Sequence, residues 1–283
     1  DDSFNLVTSL YHFDGSNGAQ NNTLLDSSPE SHTVTRNADI VQGAFSPFSA
    51  DEGKWSASFD GTDDYLAIPT SDDFAFGTGD YTIEAWVFLN STGSGQHIYD
   101  GRDNSATSAR LLFYVTSAGK LRLLQNNTTK GTSTDDVPLN QWVHIAVCRS
   151  SATGYLFMNG AQVATWSSDT LSILKPSSNL YIGANYSGSG NYTDGFISNL
   201  RVLKGTALYT GSSYTVPTAP LTAITNTKLL TCCSNRFKDK STSAHRVAPN
   251  ASGVNHMTST ILPKVQPFSC LLYTSPSPRD DEL

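Results

Sequence analysis

At 283 residues, with 10% aromatic and 15% charged side chains, the chain is long enough to bury a large core and too aromatic to be a disordered polymer. Its formal charge of −7 speaks against a nucleic-acid partner, whose grip depends on clustered Lys and Arg. No stretch has the apolar length of a membrane insertion. An acidic surface rich in Ser, Thr, Asn and Gly fits a virion or extracellular setting. Because the chain opens on Asp1 and not on Met, it is expected to start within a gene or after processing.

Short runs of β-branched and aromatic residues recur along the chain between turns rich in Gly, Asn, Ser and Asp. In order they are LVTSLYHF, YLAIP, YTIEAWVFL, RLLFYVT, KLRLLQ, WVHIAVCR, YLFMNG, LYIG, GFISNLRVL and KLLTC. None carries a sustained helical stripe, so the expected fold is all-β, a two-sheet antiparallel jelly-roll sandwich. Phe59-Asp60-Gly61 ends one strand before Tyr65-Leu66 opens the next. Trp86 and Trp142 lie within apolar strands and are expected to seed the core between the sheets. In WVHIAVC, Val143, Ile145 and Val147 share one face, with His144, Ala146 and Cys148 on the other. Asn159-Gly160 in YLFMNGAQVAT predicts a type I′ hairpin turn. The prolines of TVPTAP predict an edge or connecting segment, and KLLTC a closing strand that could pair with SLYHF.

Four cysteines, Cys148, Cys232, Cys233 and Cys270, form neither a metal pattern nor a disulfide framework. Cys148 is expected as a small buried hydrophobe. Asn-x-Ser/Thr sequons such as Asn90 and Asn191 are expected by chance in a chain of this composition.

An ordered internal echo links the two ends. LLDSSPESHTVTRNADIVQGAFSPFS near the start shares its order of elements with RFKDKSTSAHRVAPNASGVNHMTSTILPKVQPFS near the end. Asp26 matches Asp239, Val41-Gln42 matches Val265-Gln266, and Phe48-Ser49 matches Phe268-Ser269. The expected organisation is a sandwich over residues 1–231, the start of a second repeat over 232–269, and neighbouring repeats as partners. Residues 270–283, CLLYTSPSPRDDEL, resemble the translation of a sequencing-library adapter and are expected not to derive from the source gene.

SFDGTDDYLAIP (58–69), YTIEAWVFL (81–89), QWVHIAVCR (141–149) and DGFISNLRVLKG (194–205) together resemble the laminin G-like branch of the concanavalin A-like lectin/glucanase superfamily. The resemblance covers roughly residues 6–231 and implies the same two-sheet sandwich. FNLVTSLYHFDGSNGAQNNTLLDSS and LKGTALYTGSSYTVPTAPLT are more narrowly similar to repeats in structural and tail-fibre proteins of marine bacteriophages.

Because that superfamily includes glucanases, hydrolysis has to be weighed. Glycosidases need a pair of carboxyls, and the family's glucanase signature looks like E-x-D-x-x-E on one strand. Here the corresponding strand offers only Glu84, and the chain has just Glu30, Glu52, Glu84 and Glu282. No G-x-S-x-G elbow accompanies His144, which is expected as a packed, hydrogen-bonded residue. The expectation is a non-catalytic chain with no catalytic residue.

Calcium is the cofactor expected, since the ion takes several carboxylate and carbonyl oxygens and DGTDD places Asp60, Asp63 and Asp64 in one turn. Asp194 precedes the GFIS strand as a fourth candidate. Relatives commonly carry an acidic pair after G-x-I, where this chain has Ser198-Asn199. The alternative is that Asp60 and Asp64 cap their own turn. For a sugar, the candidate aromatic platforms are Tyr186 and Tyr192 in NYSGSGNYTDG, then Tyr99 and Trp166. The leading expectation is a recognition module that contacts host or cell-surface glycans. A structural spacer repeat and a secreted microbial adhesion module are the alternatives.

Overall fold

The computed structural model describes residues 56–103, 109–233 and 238–249, with the backbone of residues 24–25 and 33–34. The chain divides into two compact units, Asp1–Asp51 with Ser259–Leu262, and Glu52–Thr258 with Pro263–Leu283. In the first unit, β1 (Leu24–Leu25) pairs antiparallel with β2 (Thr33–Val34).

The second unit carries the sandwich. In chain order its strands are β3 (Ala57–Asp60), β4 (Leu66–Pro69), β5 (Tyr81–Leu89), β6 (Gln96–Asp100), β7 (Leu111–Val115), β8 (Lys120–Gln125), β9 (Thr128–Asp136) and β10 (Trp142–Ser150). They continue with β11 (Thr153–Met158), β12 (Ala161–Trp166), β13 (Asn179–Ile182), β14 (Asp194–Lys204), β15 (Thr227–Thr231) and β16 (Ala248–Pro249). The first sheet runs β12-β11-β10-β5-β14-β15, with β3 also on β14; the second runs β16-β4-β13-β6-β7-β8-β9. Every pairing is antiparallel, and the architecture is the all-β sandwich expected from the punctuation of short strands by turn residues.

Alternation decides what each sheet turns inward. Ile83, Ala85, Val87 and Leu89 of β5 and Val143, Ile145 and Val147 of β10 enter one core with Leu66, Ile68, Phe113, Leu121, Leu180 and Ile182 of the second sheet. β11 and β12 form the expected hairpin, with Asn159 and Gly160 at φ of 47° and 81°. Trp86 and Trp142 depart from expectation. They share parity with Glu84 and His144, so they stand on the outer face of the first sheet, where Trp86 meets His144 and Trp142 meets Phe88.

The boundary expected at residue 231 also shifts. Cys232 and Val247 belong to the core, and Ala248 and Pro249 of β16 pair with Ala67 and Leu66 of β4. Residues 238–249 therefore finish this sandwich instead of opening a separate one. KLLTC pairs through β15 with β14; SLYHF, Cys270 and residues 270–283 lie outside the described residues. Cys148, Cys232 and Cys233 are buried.

Candidate functional site

The outer face of the first sheet holds Glu84, the residue a glycosidase would need. β14 is bulged between Ser198 and Arg201, which brings Arg201 opposite Glu84. Arg201 Nε and Nη2 lie 2.8 and 2.6 Å from Glu84 Oε1, while Oε2 accepts the Tyr209 hydroxyl at 2.8 Å and lies 3.3 Å from His144 Nε2. His144 Nδ1 is 2.5 Å from the Tyr214 hydroxyl. Burial pushes the Glu84 carboxyl up, but the hydrogen bond with His144 and the charge of Arg201 outweigh it and hold the group below its ordinary 4.5.

The segment 205–216 crosses this face as a strap. Thr82 Oγ1 donates to Thr206 O, Tyr214 N–H donates to Gly160 O, and the stacked rings of Tyr209 and Tyr214, 3.7 Å apart, lie over Phe157 and His144. Glu84 and His144 are thus each fully buried and tied to partners. A carboxylate kept ionised by a bidentate arginine is a poor proton donor, and a covered one is out of reach of a polysaccharide.

At the rim, Asp60, Asp63 and Asp64 converge, with one carboxylate oxygen from each lying within 4.8 Å of the others. Both capping bonds expected of this turn are present: Asp64 Oδ2 accepts the Asp60 N–H at 3.0 Å, and Asp60 Oδ1 accepts the Thr62 N–H at 2.8 Å. Asp64 is buried, its Oδ1 has no hydrogen-bond partner, and burial pushes its carboxyl up to about 6 despite the backbone bond. An orphaned buried acceptor beside two more carboxylates suits a hard cation. Asp194 does not join the group; its carboxylate accepts from Asn90 Nδ2 and Ser91 Oγ at 2.9 and 2.8 Å.

The outer face of the second sheet is different in kind. Because Leu66 and Ile182 point inward, Tyr65 and Tyr181 point outward and meet edge to face at 5.5 Å. Burial, then the neighbouring phenols of Tyr181 and Tyr192, push the Tyr65 hydroxyl up. Loop 185–192 folds back on itself, with Tyr192 donating to Gly188 O, and a Cβ at Gly188 would stand 2.8 Å from the Tyr65 ring. Tyr186 is fixed from below: buried Asp100 accepts its backbone N–H at 3.0 Å and binds Arg102 through both oxygens, and the guanidinium carbon lies 5.3 Å from the centre of the Tyr186 ring. Farther along this face His97 meets Tyr114 at 5.3 Å, and Arg122 donates to the Tyr114 hydroxyl. Five tyrosines, Tyr65, Tyr114, Tyr181, Tyr186 and Tyr192, are half-buried here.

Of the four aromatic platforms expected, the structure brings Tyr186 and Tyr192 to one loop, buries Tyr99 and leaves Trp166 half-buried against the core. Tyr99 is 1% exposed and in the core, because the irregularity between His97 and Tyr99 turns Ile98 and Tyr99 inward together. Trp166 packs against the core and on Gly131 and Gly154, with its indole N–H given to Asp169 at 3.0 Å. Sequence reasoning missed Tyr65, Tyr181, Tyr114 and Arg102. The outward parity of Tyr65 and Tyr181 against their apolar neighbours was the available signal.

The family model for the concanavalin A-like lectin/glucanases superfamily matches residues 60–208. No curated protein matches the sequence. Among solved structures, a Bacteroides ovatus protein provisionally named as carbohydrate-binding is 16% identical with a TM-score of 0.53, over 80% of this chain and 66% of that one. The chain thus spans a little under two thirds of that protein. The heptameric SAP-like pentraxin of Limulus polyphemus is 19% identical, TM-score 0.43, over 57% and 80% of the two chains. The CBM40 of Ruminococcus gnavus IT-sialidase, bound to α2,3-sialyllactose, is 16% identical, TM-score 0.44, over 56% and 95%.

Proposed function

Because this chain belongs to the concanavalin A-like lectin/glucanase superfamily, we propose that its sandwich is a non-catalytic carbohydrate-recognition module. The observation that carries this reading is the meeting of Tyr65, Tyr181 and Tyr192 on the second sheet's outer face, with Tyr186 in the same loop as Tyr192 and Arg102 beside its ring. A pyranose offers a face of C–H bonds and a rim of hydroxyls. Phenol rings supply the electron-rich surface for the first, and their hydroxyls with nearby loop amides serve the second. Glu84 supports a binding role over hydrolysis, since its oxygens are taken by Arg201, His144 and Tyr209.

Asp60, Asp63 and Asp64 would hold a calcium ion, which supplies positive charge to settle the rim turn. The unpartnered Asp64 Oδ1 supports that reading. The similarity of the opening and closing stretches to phage fibre repeats favours a virion or extracellular setting, with host or cell-surface glycans as ligands and weak sites strengthened by multivalent display. The test is a glycan array probed with the full chain, displayed multivalently, with calcium or with chelator. Binding that is lost in both Tyr186→Ala and Tyr181→Ala while the melting curve holds supports the site. Absence of binding to any glycan by folded protein removes it.

A further inference from the structure

The outer face of the second sheet carries a cation as well as its tyrosines. Leu111, Phe113 and Val115 of β7 and Leu121 and Leu123 of β8 enter the core, so Tyr114 and Arg122 between them point outward. Cross-strand register sets them in one row: His97 opposite Tyr114, Tyr114 opposite Arg122, and Arg122 opposite Thr132. Beside it runs a row in which Tyr181 stands opposite Asp100 and Asp100 opposite Leu112. From β13, which carries Tyr181, to β8 is three strand spacings, about 14 Å, longer than one pyranose ring.

Arg122 is held in place without being neutralised. Its Nε donates to Thr132 Oγ1 at 3.0 Å and its Nη1 to the Tyr114 hydroxyl at 3.4 Å, so the strands on both sides fix the guanidinium. Among the described residues Nη2 has no acceptor and no carboxylate pairs with the group. Arg102, Arg110 and Lys120, by contrast, have Asp100, Asp103 and Asp136 at 2.7, 3.1 and 2.8 Å. Asp100, in the adjacent row, is further engaged by His97 Nδ1 at 3.1 Å and the Tyr186 N–H at 3.0 Å. In a chain with 25 acidic against 18 basic residues, an arginine fixed on a sheet face with no acid beside it is the exception.

We propose that the ligand of this face is an acidic saccharide, its carboxylate taken by Arg122 beside Tyr114 while a neighbouring ring lies on Tyr181. The proposal rests on the reading of the sandwich as a carbohydrate-recognition module. The planar fork of an arginine matches the two oxygens of a carboxylate, and a fork fixed in advance loses less freedom on binding. Because the Tyr114 hydroxyl accepts from Arg122, its own proton is left to donate to the ligand. A carboxyl ester would set a methyl group where the fork meets an oxygen, and a neutral sugar would leave the Arg122 charge unanswered.

The test places the full chain, displayed multivalently, on an array of oligouronates and sialylated oligosaccharides, the carboxyl methyl ester of each, and sulfated and neutral oligosaccharides, with and without chelator. An acidic form is expected to bind roughly tenfold or more tightly than its ester, with chelator or without. Arg122→Gln should remove that preference at unchanged Tm, and Tyr181→Ala should weaken both forms alike. Equal binding of acid and ester, binding of neutral sugars alone, equal capture of sulfated sugars, or a preference that survives Arg122→Gln overturns the proposal and leaves the module reading standing. A preference abolished by chelator belongs to a bridging calcium and overturns it too. Absence of binding to every glycan by folded protein removes the module reading itself. Should Arg122→Gln not fold, the acid-to-ester ratio of the unaltered chain still decides.

Discussion

The two outer faces of the sandwich are built from similar strands and end differently. On the first sheet, the strap 205–216 lays Tyr209 and Tyr214 over Glu84, His144 and Arg201, with Tyr209 and Arg201 bonded to Glu84 and Tyr214 to His144. On the second sheet Tyr65, Tyr181, Tyr186 and Tyr192 remain half-buried, and the buried carboxylate of Asp100 serves to fix Arg102 and the Tyr186 backbone. The difference teaches that a carboxylate in the right family position is not by itself a catalytic one. What lies over it decides its chemistry.

The largest expected effect comes from breaking the covered face. Glu84→Gln leaves Arg201 buried without its counter-charge and should cost roughly 3–5 kcal/mol in denaturant unfolding, with glycan binding retained by the fraction still folded. Because the Glu84 carboxyl is held below its ordinary 4.5, its stabilisation is complete above that pH and is lost as pH falls through the lower folded value. Wild type should therefore lose stability on acidification below about 4.5 more steeply than Glu84→Gln, a difference read by denaturant midpoints across pH.

Calcium sharpens the comparison from the rim. If the three aspartates hold the ion, calcium at a hundredfold excess over Kd should add about 2.7 kcal/mol of stability, seen as a rise in Tm. Asp64→Asn should abolish that rise, while Asp194→Asn should leave most of it, since Asp194 is bonded to Asn90 and Ser91.

Smaller effects are expected on the open face, and they should appear in binding and not in stability. Tyr186→Ala and Tyr181→Ala should each weaken glycan binding about tenfold, about 1.4 kcal/mol. Trp166→Phe should leave binding unchanged and lower Tm by removing the indole donor to Asp169. Weakened binding in Trp166→Phe at unchanged Tm would reverse the assignment of Trp166 to packing and of the tyrosines to binding.

Much of the fold was legible because its signals are local. Asn159-Gly160 specified a hairpin through positive φ, the alternation in WVHIAVC specified which side chains enter the core, and TVPTAP specified a connection. The same alternation, carried one step further, would have put Trp142 and Trp86 outside with His144; size and hydrophobicity argued the other way. Tyr99 was not legible, since the break in register after His97 changes inward parity without a mark in the sequence.

The sequence by itself determined strands, turns, the sandwich and the clustering of Asp60, Asp63 and Asp64, all of which depend on residues a few positions apart. Only the tertiary structure decided that Tyr209 and Tyr214 close over Glu84 across more than a hundred residues, and that Tyr65, Tyr181 and Tyr192 meet. Such meetings depend on strand order and on which face a crossing segment covers. Both are set by the competition of the sandwich's segments for one core.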